Sequence, residues 1–397
     1  MFFAYLAAME DIWKERISAA ALGKIFGYEP LYAAGLIRKL GSASAVFELS
    51  PKEADEVLGP FSKYKGTINK DALESAGEEL ERLDEKGFHY IARTEKDFPP
   101  LLLECEDCPT GLYYRSVSPP GEIFRERASV AIVGTRDISP YGRDWTRKIV
   151  DACAQSPVRP LIVSGLAFGV DITAHLAALD SCLSTIAVLP CGIDEIYPTA
   201  HRGAAERIAN APGSAVVTDY PPGTSPVAFT FVRRNRIIAG LAGCTVLVES
   251  KANGGGLITC RLANSYGRDV FALPGRVDDV RSAGCNAIIR AGTAEAITGL
   301  SGLGEQLGLG RYAVKEKLDF AATVEAYYRS RADAAEMKRL TALAALIEGK
   351  RGIDLEELCY QSGRPYNEVV RLAMMLESDG FIAMDLMQRC TINERKS

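Results

Sequence analysis

Residues 128–153 read ASVAIVGTRDISPYGRDWTRKIVDAC. The first seven are an unbroken run of strand-forming apolar residues closed by a glycine, which fits a strand buried on both faces. Ser139 then offers a side-chain cap and Pro140 a pre-set first helical residue. The remainder follows as an amphipathic helix. A buried strand, a glycine turn and a capped helix form one strand–helix unit of a parallel sheet.

The same unit recurs on both sides. PLIVSG (160–165) leads to VDITAHLAAL, STIAVLPCG (184–192) to AHRGAAERIA, and SAVVTDY (214–220) to FTFVRRNRIIAG. CTVLVES (244–250) leads to GLITCRLANSYG, and DVFALPG (269–275) to CNAIIRAGTAEAI. Val/Ile/Leu strands alternating with amphipathic helices predict an α/β, Rossmann-like, doubly wound parallel sheet over residues 91–300. Residues 1–90 read as short helices. The KLGSA turn is compatible with a helix-hairpin-helix, but a plain helical packing module (a SAM-like one, for instance) is expected over it, and 15 acidic against 11 basic side chains give a phosphate-binding role little support. A linker is expected over 301–333. Residues 334–397 spell three helices and a β-hairpin, a winged helix. Its third helix carries Glu368, Arg371, Glu377 and Asp379, so a protein-contact or packing role is expected over duplex reading.

The chain has 397 residues and a formal net charge of −5, so any nucleic-acid surface must be a local patch. The start, MFFAYLAAMEDIWKER, lacks a basic segment and meets Glu10 and Asp11 early, unlike a signal peptide. No apolar run reaches about 18 residues, so no membrane span is expected. Ten scattered cysteines, including Cys105 and Cys108 of CEDC, read as structural thiols of a reducing cytoplasm. No GxGxxG follows the first strand, and GxxxxGK[ST] and metal-ligand spacings are absent, so neither cofactor nor metal is expected. His175, with Asp171, Ala174 and Ala178 on its helix, reads as a packed, hydrogen-bonded histidine. His201 starts a helix with no nucleophile motif near it.

Ligands of such sheets bind beyond the carboxyl ends of the strands. Gly134, Thr135 and Arg136 fall there after the first strand, Ser164, Gly165 and Gly169 after the second, Gly254, Gly255 and Gly256 after the fifth, and Pro274-Gly275 after the sixth. Glycine loops at helix starts let backbone N–H groups approach phosphate. Arg233, Arg234 and Arg236 raise a separate question. With Thr230 as the N-cap they occupy the first two turns, where the helix dipole disfavours cations. Arg234 shares a stripe with Ile237, Ile238 and Leu241 and is expected to point inward, with Glu249 as its partner. Arg233 and Arg236, on another face, are expected to hold external phosphates together with Arg136.

Six ordered blocks then carry a resemblance: IVGTR…SPYG, IVSGLAFGVDITAH, TIAVLPCGIDEIYP, FVRRNRIIAGLA, VLVES…GGGLIT…LANSYGRDVFALPG and GCNAIIRAGTA. Over about residues 94–297 the chain resembles the DNA-processing protein A (DprA/Smf) family. That resemblance implies a non-enzymatic protein of natural transformation. Such a protein binds incoming single-stranded DNA, forms a homodimer through its Rossmann-like domain and loads a RecA-type recombinase. It implies that Arg136, Ser164, Gly165, Arg234, Asn235 and Arg236 fall on the binding pocket, lined by Gly254 to Thr259. Three positions depart from the family pattern. Phe168 stands where a cation is usual, and offers a ring for base stacking instead. GGGLIT replaces SGSLIT and removes two hydroxyls, and Val232 replaces a proline. A competing reading is a related nucleotide-binding enzyme that cleaves N-glycosidic bonds. It would want a carboxylate after the loop threonine, where this chain has NGGGLITCRLA.

Overall fold

The computed structural model describes residues 2–27, 29–310, 320–329, 331–350, 352–385 and 388–392. They form two compact units, Met1–Ala313 and Val314–Ser397.

The first unit is built on a nine-stranded sheet. Its strands are β1 (His89–Ala92), β2 (Gly111–Arg115), β3 (Ser129–Val133), β4 (Leu161–Ser164), β5 (Thr185–Val188), β6 (Ala215–Thr218), β7 (Cys244–Leu247), β8 (Asp269–Ala272) and β9 (Glu295–Ala296). They lie in the order β1-β2-β6-β5-β4-β3-β7-β8-β9. From β6 to β9 every pairing is parallel, whereas β1 and β2 are antiparallel additions at one edge. The expected α/β class and the doubly wound parallel sheet are therefore present. Strand order runs outward from β3 in both directions, to β4, β5, β6 on one side and β7, β8, β9 on the other. The crevice between β3 and β7 is the topological switch point.

Alternation along β3 shows why the sheet is covered on both faces. Ala131 and Val133 pack with Ile237, Ile238, Leu257 and Cys260 from helices Ala228–Gly240 and Gly256–Ser265. Val130 and Ile132 pack with Ile149, Val150, Ala174 and Ala178 from helices Pro140–Gln155 and Val170–Asp180. Each fully buried valine, leucine or isoleucine among them contributes about 1.5–3 kcal/mol.

The boundary expected at residue 90 falls inside β1. Tyr90 and Ala92 of β1 and Tyr113 of β2 are buried with Ala19 and Leu22 of helix Phe2–Ile25, Phe26 directly after it, and Leu80 and Leu83 of helix Lys70–Asp84. The amino-terminal helices thus share a core with the sheet. The expected 301–333 linker is divided as well. Leu303, Leu307 and Leu309 are buried in the first unit, and Phe320–Tyr328 is a helix that buries Phe320, Val324 and Tyr328 in the second. Residues 311–319 and 330 of that stretch lie outside the described residues.

The second unit continues with helices Ala334–Gly349, Leu355–Ser362 and Tyr366–Ser378. Short strands β10 (Ile353–Asp354), β11 (Ile382–Met384) and β12 (Arg389–Ile392) form an antiparallel sheet in the order β10-β12-β11. Leu386, within the expected FIAMDL strand, lies outside the described residues.

Ser139 caps helix Pro140–Gln155 as expected, its hydroxyl accepting the Gly142 N–H at 3.0 Å. Its own N–H and hydroxyl donate to the Glu249 carboxylate, and Gly142 leaves room for that group. A Cβ at residue 142 would lie 2.5 Å from Glu249 Cδ. Gly→Ala inside a helix usually stabilises by ~1 kcal/mol. At Gly142 the sign should reverse, with a net loss of about 1–3 kcal/mol from overpacking. Urea denaturation of Gly142→Ala measures it, and a variant as stable as the parent would contradict the packing described.

Candidate nucleic-acid interface

Beyond the carboxyl ends of β3 and β7 lies a cleft of about 860 Å³. Its wall comes from four loops and the helices Val170–Asp180, Ala228–Gly240 and Gly256–Ser265. Of the residues singled out in the sequence, Gly134, Thr135, Arg136, Arg234, Asn235, Gly254, Gly255, Gly256 and Thr259 line it. Ser164, Gly165, Phe168, Gly169, Arg233 and Arg236 do not. Phe231, Asp137, Asp171, Lys251 and Asn253 line it too and were not anticipated.

The helix carrying the arginines begins at Ala228, and its N-cap is Val227. Thr230 is the third helical residue, with its hydroxyl accepting the Val227 N–H at 3.1 Å and donating to the Val227 carbonyl at 2.8 Å. The expected cap is thus three residues too late. The arginines sit beyond the first turn, where the helix dipole has faded, so the dipole penalty does not apply to them.

Arg234 points inward as expected, but its partner is Asp171, 3.9 Å away, and not Glu249. Glu249 is already committed to Ser139 at the helix start across the crevice. Asp171 also accepts the Ala167 N–H at 3.4 Å. Burial pushes the Asp171 carboxyl above the usual carboxylate range, while Arg234 opposes the shift. Burial likewise pulls the Arg234 guanidinium below its usual range, with Asp171 opposing and Arg136 adding to the pull. Gly165 exists for this pair, because a Cβ there would overlap the Arg234 guanidinium and meet Asp171 Oδ2 at 2.6 Å.

Arg236 corrects the second expectation. It is buried, and its guanidinium donates to the Asp219 carboxylate and to the Asp107 carbonyl. Tyr266 fixes Asp107 in turn by donating to its carboxylate at 2.9 and 3.0 Å. Arg236 therefore joins the helix to the CEDC loop, and it is not placed to meet an external phosphate. Cys105 and Cys108, which flank that loop, are buried thiols pushed up to about 12 and about 11, chiefly by desolvation. Arg233 is half-buried, with its guanidinium 5.7 Å from the Phe229 ring centre.

Exposed cations in the cleft come from elsewhere. Arg136 lies over the Phe231 ring at 4.7 Å, and Phe231 packs edge-on against Tyr197 at 5.4 Å. Lys251 is exposed just after β7. Neither cation has a carboxylate within ion-pair distance among the described residues. The two cleft carboxylates are both paired, Asp137 with Arg281 at 3.0 Å and Asp171 with Arg234. Counting Arg136, Arg234, Lys251 and Arg281 against Asp137 and Asp171 leaves two positive charges. Signals for the missed residues lay in the same text: Phe231 within FTFVRR, and Lys251 directly after a strand end.

The loop after β4 supports the wall from behind. Ser164 is buried and donates to the Ile132 carbonyl at 2.6 Å, so its hydroxyl is used inside the sheet. Gly169 has φ +79°, and a Cβ there would collide with the Thr135 carbonyl. Leu166 holds φ +59° with its side chain fully buried, and its carbonyl is 2.8 Å from His201 Nδ1. Phe168 is 49% exposed and stands edge-on to the His201 ring at 4.6 Å. His175 is packed as expected, with Nδ1 2.7 Å from the Thr185 hydroxyl. Among the described residues no group of three or more His, Cys, Asp or Glu is placed to hold a metal ion. No helix among them is long and apolar enough to cross a membrane.

Two outcomes follow from these buried groups. Arg236→Ala leaves the Asp219 carboxylate buried without its cation, and should lose about 3–5 kcal/mol of stability in thermal or urea unfolding. His175 is held to about 3, first by burial and then by Arg234 and His201. The unfolded chain takes up this proton near the ordinary value of 6.5. Stability is thus fully present above pH 6.5 and declines as pH falls toward 3, by ~3–5 kcal/mol. His175→Gln should flatten that acid limb, and an unchanged slope would rule out the assignment.

The DNA recombination-mediator protein A family model matches residues 89–308. Protein Smf of Synechocystis sp. is 40% identical over 229 residues, which are 58% of this chain and 56% of that protein, so little more than half of that relative's length is spanned. Protein Smf of Escherichia coli is 32% identical over 302 residues, 76% of each chain. The X-ray structure of DNA processing protein A from Streptococcus pneumoniae superposes with a TM-score of 0.52 at 32% identity, over 68% of this chain and 95% of that one. A family match that takes in the whole parallel sheet and all the loops of the cleft means that the chain belongs to the DNA recombination-mediator protein A family.

Proposed function

We propose that this protein is a non-enzymatic recombination mediator that holds single-stranded DNA across the β3–β7 cleft. The observation that carries the reading is the pairing state of the charges there. Asp137 and Asp171 are neutralised within the protein, while Arg136 and Lys251 face the cleft without a carboxylate. Phosphates meet those two cations and the exposed backbone of the Gly254–Gly255 loop. The Phe231 ring under Arg136 in the cleft, and the half-exposed Phe168 ring outside its lining but next in sequence to Ala167 of the wall, supply faces on which bases stack, without selecting their sequence. In this reading the protein protects incoming DNA in the cytoplasm, forms a homodimer through the Rossmann-like sheet and loads a RecA-type recombinase, as the family resemblance implies.

We read the second unit as a winged helix with a packing or protein-contact role. Its arginines support this. Arg371 pairs with Glu336, and Arg364 and Arg339 both pair with Glu368. Helix Tyr366–Ser378 then has little free positive charge for a duplex groove.

One observation favours the nucleotide-cleaving alternative. Asp171 gives the cleft a buried carboxyl raised above its usual range, a property of many general acids. Its contact with Arg234 and Ala167 favours a structural role. Release of free base from nucleoside monophosphates, abolished in Asp171→Asn, would establish the enzyme instead.

Fluorescence anisotropy with labelled single- and double-stranded oligonucleotides across a salt series tests the main proposal. Single strands should bind more tightly at ~150 mM salt. Arg136→Ala and Lys251→Ala should each weaken binding and flatten the log–log salt slope by about 0.7. Phe168→Ala should weaken it by about 1–3 kcal/mol with the slope unchanged. Equal affinity for duplex, or unaltered slopes in both cation variants, would refute strand binding in this cleft.

A further inference from the structure

A second cavity, of about 410 Å³, opens at the amino ends of β3 and β4, the opposite end of the sheet from the cleft. Its floor is apolar, formed by Pro100, Ile123, Phe124, Leu161, Ile186 and Leu241. Arg125 and Arg127 stand in its wall. Arg127 Nη2 donates to the carbonyls of Ile123 at 3.2 Å and Gly213 at 2.9 Å. Its Nε is buried without a hydrogen-bond acceptor, and no carboxylate lies within ion-pair distance of the group among the described residues. Glu122 attracts it from farther away, while Arg125 repels it. Burial, with Arg125 adding to it, pulls this guanidinium down to about 10. This half-buried cation donates only to carbonyls and has no carboxylate partner among the described residues, and it faces a cavity large enough for a small ligand.

We propose that this cavity is a second ligand site, which takes a monocarboxylate borne directly on a compact apolar group. The carboxylate meets Arg127 and Arg125, and the apolar body fills the floor between Ile123, Leu161, Ile186 and Leu241. Glu126, exposed on the rim, disfavours ligands with a second negative charge, so polyphosphates and nucleic acid are poor occupants. Two sources share the chemistry: a free aryl- or alkyl-carboxylic acid, and the carboxyl terminus of a polypeptide that ends in a bulky apolar residue.

The test uses the full chain with 3-phenylpropionate, N-acetyl-L-phenylalanine and the neutral 3-phenylpropionamide, followed by calorimetry and melting temperature. At least one acid should bind and raise the melting temperature, at least tenfold more tightly than the amide. Preference for N-acetyl-L-phenylalanine assigns a polypeptide terminus, and preference for 3-phenylpropionate a free acid. Binding should persist when the cleft is saturated with an oligothymidine. Arg127→Gln should erase the contrast between acid and amide. Because Arg127 also ties two carbonyls, the wild-type contrast decides if that variant fails to fold. Equal binding of acid and amide, no binding at millimolar concentration, or displacement of the acid by oligothymidine each overturns the proposal.

Discussion

The cleft takes its shape from one carboxylate. Glu249 follows β7, is almost fully buried, and receives both the N–H and the hydroxyl of Ser139 at the start of the helix that follows β3. Its carbonyl takes the Thr135 N–H at 2.8 Å. At a switch point the helices after neighbouring strands leave toward opposite faces, and the sheet's own hydrogen bonds stop at the strand ends. Glu249 bridges that gap and places an anion at the positive end of a helix. With Thr135 and Ser139 both tied to the same residue, the short loop between them has little freedom, and Arg136 is presented from it.

Desolvation sorts the three arginines of helix Ala228–Gly240. Moving a guanidinium out of water is costly unless a partner and hydrogen bonds replace the solvent. Arg236 finds a carboxylate and a backbone carbonyl, while Arg234 finds Asp171 at longer range. Both serve to join layers of the protein. The cations left for the cleft are a loop arginine and a lysine on other elements, so a chain of net charge −5 still presents a locally positive concavity.

The parallel sheet was legible because its signal is local: each strand is an apolar run and each helix repeats its apolar face within one segment. Ser139 was legible for the same reason. β1, β2 and β9 were not. They are two to five residues long, and neighbours far along the chain fix their pairing. Periodicity told that Arg234 faces inward but could not name its partner, since Ser139 had already engaged Glu249. The fate of Arg236 was hidden for a like reason. Its acceptors lie 17 and 129 residues away, one of them in a loop that reads as a cysteine motif. The cap at Val227 escaped because an apolar residue occupies it and Thr230 satisfies it from inside the helix.

Gly165, Asp171 and Arg234 come from a loop and two different helices, yet they occupy one volume. A side chain at 165 has no room while the guanidinium is there. A shorter residue at 234 leaves Asp171 buried and unpaired, and a neutral residue at 171 leaves the guanidinium so. Single steps away from this set each pass through a damaged protein, whereas a joint change does not. Across descendants of this chain the three positions should therefore be inherited together or exchanged together, a linkage visible as covariation between sites up to 69 residues apart (234 − 165 = 69).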